Sequence, residues 1–127
     1  FTSGAQIFKK NQELSNKTID FLKKINEALE KTPFKIAYRV RDEFLIYCFH
    51  ASINQANDEN ENFWFNQALD EMTTMKILSR IEGDEGRTGN ALRELEKILR
   101  PDFKKSGAKL EEMITRLENS GYTSFWA

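Results

Sequence analysis

The chain is poor in the residues that bend a backbone: six glycines and two prolines in 127 residues. Strand-and-turn architectures place such residues at every reversal, so their scarcity disfavours an all-β fold and favours long helices with short connections. Cysteine is nearly absent. The single residue, Cys48, forms no internal disulfide, which excludes a disulfide scaffold and suits a reducing, cytoplasmic location. No apolar run approaches the ~20 residues needed to cross a bilayer, and no signal-peptide pattern is visible. An excess of one charge is also missing: 19 basic and 20 acidic residues leave a net charge of −1. Nucleic-acid binders usually carry a basic excess. Here Lys9-Lys10, Lys23-Lys24 and Lys104-Lys105 are only local doublets, as expected of solvated helix faces, so a DNA-binding domain is the weakest reading and DNA is expected as an indirect partner.

What is plentiful is phenylalanine, ten residues. A chain of this length can bury a core without staples. Residues 1–14 are polar with scattered apolar positions and are expected to form a tether or short helix; residues 15–127 are expected to form one helical domain. Leu22, Ile25 and Leu29 share a face of a first helix that Ser15 or Asn16 caps and Thr32-Pro33 ends. A second helix runs from about Tyr38 to Gln55. It is apolar nearly all round and is therefore expected to be central and buried. A third spans about Phe63 or Phe65 to Ser79, a fourth Asn90 to Leu99, and a fifth Ser106 to Asn119. Gly121 closes the fifth helix in a left-handed conformation, and Tyr122 to Trp126 form an extended aromatic tail. Residues 82–89 read as a flexible glycine-containing loop. The expected fold is all-α, an irregular bundle of four to five helices.

Most catalytic constellations are absent. His50, the lone histidine, lies two residues from Cys48, so on a helix the two diverge and share neither a metal nor a proton. Asp58, Glu59 and Glu61 lack the central glycine of a calcium loop. Gly83, Gly86 and Gly89 lack the Gly-Lys pair of a phosphate-cradling loop, and Asp84 and Glu85 would repel phosphate. Asp70-Glu71 and Glu111-Glu112 are adjacent on helices and read as solvated faces. Arg39 remains. It stands at the start of an apolar helix, where a guanidinium needs a partner: Glu43 one turn on, or a phosphate, whose oxygens match the guanidinium fork.

Several stretches, taken in order, resemble the C-terminal region of the AAA+ subunit of McrBC-type, methylation-dependent restriction systems. Phe34 to Phe44 contains a Tyr-Arg-Val helix opening. Lys76-Ile77-Leu78-Ser79-Arg80-Ile81 precedes Gly83. Met113, Leu117 and the Gly121 to Trp126 ending, with its Thr-Ser-Phe-Trp run, complete the likeness over residues 18 to 126. Ser79 departs from the proline common in that family, a change expected to straighten the helix end. The Walker A, Walker B and sensor residues of the α/β core have no counterpart here.

The resemblance implies a helical lid fragment that is no enzyme by itself. In the complete protein the lid would close over ATP or GTP with Mg²⁺ bound by the core. By analogy, Arg39 stands at the sensor-2 position. Arg41, Lys76 and Arg80 become candidate contacts with a neighbouring ring subunit or DNA, and a nuclease subunit becomes a possible partner. No cofactor is expected in this chain, and no membrane. A different reading is a stand-alone interaction module that docks a partner through Phe125 and Trp126.

Overall fold

The computed structural model describes residues 12–54, 61–99 and 102–126. Among these, five α-helices run α1 (Gln12–Ala28), α2 (Tyr38–Asn54), α3 (Glu61–Met72), α4 (Glu85–Leu99) and α5 (Lys104–Ser120), with two short strands, β1 (Glu82–Asp84) and β2 (Tyr122–Ser124). The all-α irregular bundle expected from the periodicity is present. Residues 1–11 of the expected tether lie outside the described residues. Gln12 to Leu14 already belong to α1, and Leu14 is buried in the core, so the boundary at residue 14 does not hold.

Helix α1 buries Leu14, Thr18, Leu22 and Ile25, spaced by three or four residues so that one stripe faces inward. It ends as Pro33 requires. The Thr32 hydroxyl donates to the Leu29 carbonyl at 2.8 Å and accepts the Phe34 amide at 3.1 Å. Asn26 then ties the connector down: its Nδ2 donates to the Ile36 carbonyl at 3.2 Å, and the Ile36 amide donates to its Oδ1 at 2.6 Å.

The expectation of a central α2 is overturned. Phe44, Leu45 and Cys48 are buried, but Tyr38 and Ile53 are exposed. The helix packs chiefly on α1 and α3, one side of its circumference. Its other apolar side chains are therefore covered only in part.

Helix α3 inserts Trp64, Phe65, Ala68, Leu69 and Met72 into the core. It loosens into a π turn, Thr73–Ile77, and then a 3₁₀ turn, Leu78–Arg80. The hydroxyls there compete for helix carbonyls: Thr73 donates to Leu69 at 2.7 Å, Thr74 to Asp70 at 2.9 Å, and Ser79 to Met75. Ser79 in place of proline does not straighten this end.

The glycine loop expected over 82–89 is instead a strand and the first turn of α4. Gly83 pairs with Thr123 in an antiparallel ribbon of β1 and β2. Asp84 caps α4, its Oδ1 accepting the Arg87 amide at 2.9 Å. Leu92, Leu95 and Leu99 of α4 and Leu110, Met113 and Leu117 of α5 join the same core. Gly121 closes α5 at φ 79°, its amide donating to the Leu117 carbonyl at 2.8 Å, as its place in the sequence predicts.

Candidate functional site

Helix α2 opens at Tyr38, directly after a connector fixed by Asn26, so its first turn is held in a defined place. The Arg39 side chain is 93% exposed, and its Nε lies 3.8 Å from Glu43 Oε1. The i,i+4 pairing expected with Glu43 is present, but it is long and open to solvent, where such pairs contribute little. The desolvation argument for a partner therefore does not apply, because Arg39 is not buried.

Glu43 is shared. Lys76 Nζ approaches its other oxygen, Oε2, at 2.7 Å. The π turn after α3 thus brings Lys76 to the opening turns of α2, and Arg39, Glu43 and Lys76 form one group. The sequence held no signal for the Lys76 contact, since it joins positions far apart in the chain.

The other two candidate cations stand apart. The Arg41 guanidinium carbon lies 4.6 Å from the Tyr38 ring centroid, and its Nη2 is 3.7 Å from Asp42 Oδ1. It lines a cleft of about 380 Å³ between α1 and the connector, which Arg39 does not line. Arg80 is exposed, and among the described residues no ion pair joins it to the Glu43 group.

The aromatic tail divides into two parts. Phe125 packs against the core, and Lys109 Nζ lies 4.4 Å from its ring centroid. Arg116 donates to the Ser124 carbonyl and so fixes the strand end. Trp126 is 81% exposed and meets Phe125 edge-on at 4.8 Å. Tyr122 and Trp126 are the tail aromatics presented outward, Trp126 the more so.

Two residues read as solvated faces make tertiary contacts. Asp70 is buried, and it caps α5 from a neighbouring helix. Its Oδ2 accepts the Lys105 amide at 2.8 Å; its Oδ1 accepts the Ser106 amide at 2.7 Å and the Ser106 hydroxyl at 2.6 Å. Glu71 accepts a hydrogen bond from the Tyr47 hydroxyl and lies 3.7 Å from Lys105 Nζ. His50, expected on a buried helix, is exposed beside Phe49. Asp58 and Glu59 lie outside the described residues, and Glu61 opens α3. Among the described residues no group of three or more His, Cys, Asp and Glu is placed to hold a metal, and no helix is long and apolar enough to cross a membrane.

Two buried or bonded acids make the fold sensitive to alkali. Burial pushes the Cys48 thiol from 9.0 up to about 12, against a smaller opposing effect of the Thr18 hydroxyl. The hydrogen bond to Glu71, with burial second, pushes the Tyr47 phenol from 10.0 up to about 12. Both groups hold their protons more tightly folded than unfolded. Their contribution is therefore complete below about pH 9 and is lost as pH rises towards about 12. Urea unfolding followed across that window is expected to show the loss, and the Tyr47→Phe/Cys48→Ala double variant a shallower decline. Parallel declines would contradict this assignment.

No curated protein and no solved structure matches this chain. A family model does, over residues 2–122, which is nearly the whole length and includes the first turn of α2, the π turn and β1. The chain belongs to the family described as Domain of unknown function (DUF8727).

Proposed function

We propose that this domain is the helical lid of an McrBC-type AAA+ NTPase. It closes over ATP or GTP held by an α/β core and supports assembly of the ring, in the cytoplasm and in a DNA restriction setting. The observation that carries this reading is Arg39. A guanidinium on the first turn of a long helix, 93% exposed and only loosely tethered to Glu43, is free to reach a phosphate outside the domain. The positive end of the α2 dipole lies beside it and favours the same anion. Lys76 keeps Glu43 charge-paired when Arg39 leaves.

The chain's contribution is one positioned cation, not a catalytic set. In this reading Mg²⁺ is held by the core. Neighbouring subunits and a nuclease subunit are the partners this reading implies, with DNA engaged through the assembly. Arg80, exposed and outside the Glu43 group, is then a candidate subunit contact.

The test uses the complete gene product that carries this domain. Arg39→Ala is expected to lower nucleotide hydrolysis by about 10²-fold or more, in line with other arginines that stabilise phosphoryl transfer. Arg39→Lys restores only part, because a point charge replaces a fork. Unchanged hydrolysis and nucleotide affinity would remove the assignment, as would hydrolysis by the 127-residue chain alone. If the gene product carries no Walker A motif, the second reading takes its place: an interaction module that docks through Trp126, whose 81% exposure favours it.

A further inference from the structure

The cleft between α1 and the connector pairs an apolar floor with a cationic lining. Its floor is apolar, from Ile19, Leu22 and Ile36, and three cations line it, Lys23, Lys35 and Arg41, with no carboxylate among the lining residues. The chain as a whole is nearly neutral, yet residues 31 to 41 contain Lys31, Lys35, Arg39 and Arg41 and no aspartate or glutamate. Among the described residues no carboxylate forms an ion pair with Lys23 or Lys35. Arg41 pairs with Asp42 through Nη2, but its Nε is buried without an acceptor.

From this arrangement we infer that the cleft docks an acidic segment of a partner protein. An apolar side chain of the partner lies on Ile19, Leu22 and Ile36, and flanking carboxylates meet Lys23, Lys35 and Arg41. A bare phosphate answers only the cations and leaves the apolar floor wet. On the connector, the Ile36 amide already donates to Asn26 and is not offered to the phosphate. A leucine or phenylalanine between carboxylates answers both halves of the cleft. Its volume of about 380 Å³ is that of a small ligand site and holds such a side chain with its flanking backbone. The Asn26 bonds to Ile36 hold the cleft open before binding, so little ordering is needed. The inference does not rest on the nucleotide reading, because Arg39 does not line the cleft.

The experiment uses the 127-residue chain and a fluorescein-labelled peptide of sequence Glu-Asp-Leu-Phe-Asp-Glu, with binding read by anisotropy at low salt and mapped by amide shifts. Saturable binding is expected, with shifts confined to α1 and residues 35–41, and it weakens as salt rises. The Lys23→Glu/Lys35→Glu variant changes two exposed side chains and should keep the wild-type melting temperature while losing about tenfold or more in affinity. A peptide with the leucine and phenylalanine changed to serine should lose a similar factor. The proposal is overturned if binding does not saturate, if the charge-reversed variant binds as tightly as wild type, or if the serine peptide binds equally well. It is also overturned if inorganic pyrophosphate displaces the peptide at equal or lower concentration, which would make the cleft a phosphate site.

Discussion

Replacing Asp70 by alanine is expected to lower the stability of this domain by about 3 kcal/mol, roughly a 10 °C fall in melting temperature for a domain of this size. The carboxylate is buried on α3 and accepts the first amides of α5, at Lys105 and Ser106, together with the Ser106 hydroxyl. The residue before α5, Phe103, supplies no side-chain cap, so this end of the helix depends on a side chain 35 and 36 residues away. Hydrogen bonds to a charged acceptor contribute about 1.5–3 kcal/mol each, and alanine leaves buried donors without a partner. Asp70→Asn separates the electrostatic part from the geometric part. Its carbonyl oxygen can still serve Ser106, but its amide nitrogen meets the Lys105 N–H donor to donor. The asparagine variant is therefore expected between wild type and alanine. Chemical denaturation with matched slopes checks the order. A wild-type melting curve for Asp70→Ala would mean that water replaces the cap without loss.

The second large effect is expected at Gly83. It lies in β1 at φ 146°, and an added Cβ would sit 2.6 Å from Arg87 Cδ and 3.1 Å from the buried Thr88 Cγ2. Gly83→Ala thus combines a backbone conformation that side chains rarely adopt with a close approach, for about 2–3 kcal/mol. The consequence reaches β2, because Gly83 pairs with Thr123. Amide exchange at Thr123 should speed up, and the Phe125 contact with the core should loosen with it. Gly89 is the control. A Cβ there would overlap Glu85 Oε2 at 1.5 Å, but that exposed carboxylate can swing aside. Helix propensity favours alanine over glycine by about 1 kcal/mol, so Gly89→Ala is expected to stay within about 1 kcal/mol of wild type. Equal losses at the two glycines would show that the ribbon imposes no special demand at Gly83.

The candidate site was legible only in part. Arg39 and Glu43 lie four residues apart, and a helix brings such positions together whatever surrounds it. Lys76 enters the same group because the π turn after α3 is laid against α2, which no local pattern encodes. Asp84 carried a readable sign, an aspartate just before a helical stretch, but the glycines around it, Gly83, Gly86 and Gly89, masked it. Gly86 and Gly89 are helical in fact, and Asp84 is their cap.

The sequence by itself determined the all-α class, the helices that build it, the stop at Thr32-Pro33 and the left-handed closure at Gly121. Each of these depends on contacts within about four residues, the reach of a helical hydrogen bond. The tertiary structure alone decided that α2 lies at the edge, that Asp70 caps α5, that Glu71 takes the Tyr47 hydroxyl, and that residues 82–84 pair with the tail. The side-chain and strand pairings among them join residues 24 to 42 positions apart. A side chain's partner at that range is set by how the helices pack against one another, not by which residue stands next to it.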